Sequence, residues 1–104
     1  MAEMTNREYA ILWLEGIAEM AERLTTGNVS HLGATIKCKA QDSVQYLEKW
    51  GDSNDEVLHK AIKRLKWVVK DCSGLCTGNV AHRRPGLVGF SRRMAEYVRR
   101  HIND

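Results

Sequence analysis

The string T-G-N-V-x-H occurs twice in this chain, at Thr26–His31 and Thr77–His82, a separation of 51 residues. Shifting the chain against itself by that interval also aligns Ala10 with Ala61, Ile11 with Ile62, Leu14 with Leu65, Leu24 with Leu75 and Tyr46 with Tyr97. A period of about 50 residues is typical of a supersecondary unit used more than once. The spacing therefore predicts a duplicated unit, repeat 1 over approximately 5–50 and repeat 2 over approximately 54–104, within a single domain spanning 1–104.

Each unit reads as a helical hairpin. Thr5-Asn6-Arg7-Glu8 has the form of a capping box, and apolar residues from Tyr9 to Leu24 recur at helical spacing, with Glu8, Glu15, Glu19 and Glu22 on the other side. Leu32, Ile36, Ala40, Val44, Leu47 and Trp50 give a second helix its buried face. Gly51-Asp52-Ser53 is the one linker-like stretch, and the Ser53–Glu56 box predicts a third helix starting near Asn54. Its apolar face runs through Val57, Leu58, Ala61, Ile62, Leu65, Val68 and Val69. Pro85 fits the first turn of a fourth helix, where its missing N–H has no partner to lose, and Phe90, Met94, Tyr97, Val98 and Ile102 form the stripe that follows. No stretch alternates as a strand does, so the expected fold is all-α, a compact four-helix domain of two duplicated hairpins.

The repeated string then reads first as a joint. Gly27 and Gly78 suit a left-handed helix end, Asn28 and Asn79 suit the cap of the next helix, and Val29 and Val80 suit packing beneath the bend. A sharper reading makes the two loops ligand sites, with Asn28, His31, Asn79 and His82 around a small anion at a helix start.

Charge is divided unevenly. Residues 1–50 carry five Lys/Arg and seven Asp/Glu, residues 51–104 eleven and six, so net charges of −2 and +5 underlie the total of +3. On the third helix Lys60, Lys63, Arg64, Lys66 and Lys70 fall opposite the apolar face with Trp67 in their midst. A tryptophan on a solvated side calls for a partner surface or a neighbouring element, and a base could stack on it while the lysines meet phosphates. Arg92, Arg93, Arg99 and Arg100 share an arc of the fourth helix, a geometry suited to a phosphate backbone or an acidic groove. The acidic stripe of the first helix could instead face this arc, within the monomer or across a homodimer.

Other chemistry finds little footing. Cys72, Cys76 and His82, with Cys38 or His31 as a fourth ligand, lack a second paired-cysteine knuckle, and no metal or other cofactor is expected. No nucleophile elbow, P-loop or HExxH helix is present, which argues against an enzyme. Three unevenly spaced cysteines suit a reducing, cytoplasmic compartment, and the absence of a long apolar run argues against a membrane protein. The sequence thus points to a small non-enzymatic binder whose basic C-terminal half docks on a nucleic acid or nucleoprotein complex to regulate or inhibit it. The alternatives are a protein-interaction inhibitor or adaptor of phage or mobile-element type, and a binder of small anions through the T-G-N-V-x-H loops.

Overall fold

A computed structural model describes residues 3–103, so Met1, Ala2 and Asp104, the outermost positions of the single domain and of its second repeat, lie outside the described residues. Four helices, α1 (Asn6–Glu22), α2 (Val29–Trp50), α3 (Glu56–Ser73) and α4 (Val80–Arg100), account for the regular structure, with no strand among the described residues. The boundaries of α1 and α2, moved on by 51 residues, fall within a residue of those of α3 and α4.

Burial follows the same shift. Leu14 and Leu65, Ile36 and Leu87, Val29 and Val80, and Leu47 and Val98 are all buried in one core. The helix pairing maps onto itself when the halves are exchanged: α1 with α4 and α2 with α3 make the most extensive interfaces, and the hairpin partners α1–α2 and α3–α4 complete the bundle. This correspondence concerns helix boundaries, burial and contacts; descent of the halves from one ancestral hairpin is a reading of the sequence.

The Thr5–Glu8 capping box forms as the sequence implies, with Glu8 N–H donating to Thr5 Oγ1 and Thr5 N–H donating to Glu8 Oε1. The joints differ from their expected chemistry. Neither contains a left-handed residue, since no described residue, glycine included, has positive φ. Nor do the asparagines cap the helices they precede. Asn28 Oδ1 accepts from Thr25 N–H at 2.7 Å and its Nδ2 donates to the Arg23 carbonyl at 2.9 Å; Asn79 treats Cys76 N–H and the Gly74 carbonyl in the same way, at 2.9 and 2.8 Å. Each amide therefore closes the helix behind it, satisfying a carbonyl that the helix end leaves orphaned. Val29 and Val80 do pack under the bends.

Two helix starts also shift. Asp55, not Ser53, caps α3, its carboxylate accepting from Leu58 N–H at 3.1 Å. An aspartate there also meets Arg7, which Ser53 could not do. Pro85 lies inside α4 rather than in its first turn, because the second joint starts that helix at Val80. Six residues in, proline leaves the Ala81 carbonyl without its helical donor.

The end of the bundle opposite the joints is tied by Arg7. Its guanidinium bonds bidentately to Asp55, at 2.9 Å to each oxygen, and donates to the His101 carbonyl. One side chain thereby joins the start of α1, the cap of α3 and the end of α4. Gly51 turns the chain nearby, where a Cβ would collide with the Leu47 carbonyl and the Leu58 side chain.

Candidate anion-binding surface

The seam between α3 and α4 gathers most of the expected surface. Trp67 and Phe90 meet edge to face, with ring centroids 5.4 Å apart and planes at 83°. The Arg64 guanidinium lies 5.1 Å from the Trp67 centroid and 5.0 Å from that of Phe90, and Arg93 covers Phe90 at 4.7 Å. Lys60 Nζ sits 5.0 Å from the Tyr97 ring centroid and donates to the Tyr97 hydroxyl at 3.2 Å. Between the helices runs a groove of about 270 Å³ lined by Lys60, Lys63, Arg64, Trp67 and Met94.

Trp67 is therefore not the open anchor that its position among the lysines implies. It is half-buried against the core, because Phe90 and Arg64 close over it. The exposed tryptophan is Trp50, 61% accessible at the end of α2. Phe90, assigned by periodicity to the apolar stripe of α4, is itself 38% exposed.

The arginines of α4 divide into two sets. Arg92 pairs with Glu22, and Arg99 with Glu15 at 2.8 Å and Glu96 at 3.6 Å. The hydrogen bond that Arg99 donates to Glu15 raises the Arg99 pKa above its ordinary value. The acidic stripe of α1 thus meets this arc within the monomer, along the α1–α4 interface, and Arg92 and Arg99 are not free for another anion. By contrast, among the described residues no carboxylate lies within ion-pair distance of Lys60, Lys63, Arg64, Lys70, Arg93 or Arg100. Arg64 carries a desolvation cost as well: its Nε is buried with no acceptor among the described residues. The two aromatic faces repay part of that desolvation.

The T-G-N-V-x-H loops sit together at the other end of the bundle, where Arg84 donates to the Leu24 carbonyl at 2.9 Å and Leu75 packs over Gly33. Both ends of the Asn28 and Asn79 amides are engaged within their own loops, while His31 and His82 are exposed. Cys72 faces the core and burial pushes its thiol up to about 11, whereas Cys38 and Cys76 are exposed. Among the described residues no group of three or more His, Cys, Asp or Glu side chains converges as metal ligands would.

Periodicity gave no sign of the largest groove, about 560 Å³ between α2 and α3, over Leu47, Gly51 and Ile62. Its rim mixes Glu48 and Glu56 with Lys63 and Lys66, so its charges largely offset one another. The Arg7 clamp was equally hidden, since its partners lie 48 and 94 residues away. Phe90 and Arg93, three apart on one helix, were the available signal that an aromatic would be roofed by a cation. Comparison of the chain with protein-family models, curated proteins and solved structures finds no match, leaving the geometry of this seam to carry the functional reading.

Proposed function

We propose that the protein is a non-enzymatic, cytoplasmic binding protein that docks through the α3–α4 seam on a nucleic acid or nucleoprotein complex and so regulates or blocks it. The observation that carries this reading is the set of unpaired cations around Trp67 and Phe90: Lys60, Lys63 and Arg64 line one groove and Arg93 covers the adjoining Phe90 ring, with no carboxylate among the described residues in ion-pair distance of any of them. Elsewhere on the same helices the protein neutralises its own charge, as Lys66 does with Glu48 and Arg92 with Glu22. Phosphates supply the missing counter-charge, and guanidiniums already positioned over rings are suited to bidentate contact.

The test is recovery of partners from cell extract with and without nuclease, using the native protein beside Lys63→Ala/Arg93→Ala. Recovery that depends on intact nucleic acid and on the two cations supports the reading. Recovery of a discrete protein by both forms after nuclease treatment would replace it with the second reading, an inhibitor or adaptor of the kind common among phage proteins. That reading is favoured by the exposed Leu12 and Trp50, 52% and 61% accessible. Binding of a small anion at the joints would instead be lost in His31→Ala/His82→Ala; the internal use of both asparagine amides gives that reading less support.

A further inference from the structure

The outward ridges of α1 and α3 occupy corresponding positions and carry opposite charge. On α1, Glu8, Leu12, Glu15 and Glu19 fall at steps of four, three and four, one line along the helix. Fifty-one residues on, the same line of α3 reads His59, Lys63, Lys66 and Lys70. The ion pairs at the foot of each ridge are inverted too: Glu15 with Arg99 at 2.8 Å on one side, Lys66 with Glu48 at 3.0 Å on the other.

Each ridge also borders an apolar floor. Leu12 and Met4, 52% and 39% exposed, stand beside a groove of about 310 Å³ that includes Ile11 and Ile102. The α3 ridge overlooks the 560 Å³ groove, floored by Leu47 and Ile62.

We propose that the acidic α1 ridge of one copy docks on the basic α3 ridge of a second copy of this chain. Charge complementarity selects the occupant, because Glu8, Glu15 and Glu19 make one ridge acidic while Lys63, Lys66 and Lys70 make the other basic. Laid antiparallel, Glu8 comes opposite Lys70, Leu12 opposite Lys66, Glu15 opposite Lys63 and Glu19 opposite His59, with Leu12 at the Lys66 edge of the groove floored by Ile62. The register holds over ~16 Å at ~1.5 Å per residue. The two surfaces differ, so each contact leaves one ridge of either kind free and the association is head-to-tail. Exposed charge pairs are individually weak and screened, so the assembly is sensitive to salt. Lys63 and Lys70 belong to the proposed anion-binding surface as well, but self-association does not depend on that reading.

Sedimentation of the nucleic-acid-free protein tests it, with folding of every variant checked by circular dichroism. In ~0.01 M salt, where the screening length is about 30 Å, the average mass of the native chain rises with concentration, and it returns to one chain at ~1 M. Leu12→Lys/Glu19→Lys and Lys63→Glu/Lys70→Glu each remain single chains alone, and an equimolar mixture associates again. Lys39→Glu/Lys49→Glu, with the same change of net charge away from both ridges, still self-associates as the native chain does. A native protein that stays monomeric in low salt overturns the proposal, as does a ridge variant that still self-associates or a Lys39→Glu/Lys49→Glu control that no longer does. None of these results bears on binding to nucleic acid, which is absent from the cell.

Discussion

The α1–α2 and α3–α4 seams occupy corresponding places in the two halves of the bundle. In the first, Tyr9 and Trp13 stack at 5.2 Å with planes 17° apart, and Tyr46 meets both edge-on at 5.6 and 5.4 Å. In the second, the positions 51 residues on hold Lys60, Arg64 and Tyr97, so a cation replaces an aromatic at two of three sites. Asp42 gives way to Arg93 and Lys39 to Phe90 in the grooves alongside. The inward positions keep their character, leucine for leucine at 14 and 65 and valine for valine at 29 and 80. Packing fixes what lies inside a bundle because volume changes in a dense core are costly, while the outer seam is free to change its chemistry. The first seam packs aromatic on aromatic; the second presents cations that no carboxylate among the described residues neutralises.

The comparison can be broken or sharpened by substitution. Leu14→Ala and Leu65→Ala, both at fully buried positions, should each lose about 3–5 kcal/mol in urea unfolding, and near-equal losses are expected if the halves are packed alike. A difference of half or more between them would break the correspondence of the cores. Arg7 has no counterpart in the second half, where the matching position is Leu58, and marks the main departure from symmetry. Arg7→Met should cost about 2 kcal/mol, given the partly buried Asp55 it leaves without this partner. The hydrogen bond from Arg7 holds the Asp55 carboxyl below its ordinary value of 3.8. Its stabilisation is therefore full above that pH and lost as the pH falls below it, and acid unfolding of Arg7→Met should lack that component.

Smaller effects separate the seams by function. Arg64→Ala should lower affinity for a phosphate-rich ligand roughly tenfold, about 1.4 kcal/mol, and Trp13→Ala should leave it unchanged while lowering the unfolding midpoint. Equal effects on affinity would mean that the first seam binds as well. Smallest is Ser91→Ala. The Ser91 hydroxyl is fully buried without a partner, and the corresponding residue in the first half is Ala40, so the substitution should be neutral or stabilising by up to about 1 kcal/mol. A loss beyond that would reveal a role for the hydroxyl that the corresponding position lacks.

Much of this architecture is legible in the sequence, for a local reason. Helices with one apolar face repeat every 3.6 residues, and the doubled T-G-N-V-x-H string marks where each hairpin turns. What escaped depends on neighbours distant along the chain. Ser53 and Asp55 are both competent caps, and only Arg7, arriving from another helix, favours the aspartate. Trp67 stands among lysines on a helical wheel, yet α4 brings Phe90 over it. The arginines of α4 form one arc by periodicity, and the packing of α1 divides them into paired Arg92 and Arg99 and unpaired Arg93 and Arg100. Proline suggested a helix start at Pro85, although the repeat placed that start at Val80, as observed. The longer-range regularity carried more information there than the local rule.

The most direct test of the account is the salt dependence of binding to a single-stranded oligonucleotide, for the native protein beside Lys63→Ala/Arg93→Ala and Lys39→Ala/Lys49→Ala. The account predicts that log affinity falls with log salt for the native chain, and that the slope shrinks by about 0.7 for each lysine or arginine removed from the α3–α4 seam and not for those removed from the first half. An affinity indifferent to salt, or a slope that changes equally for both pairs, would contradict the assignment of the second seam as the surface that meets an anionic partner.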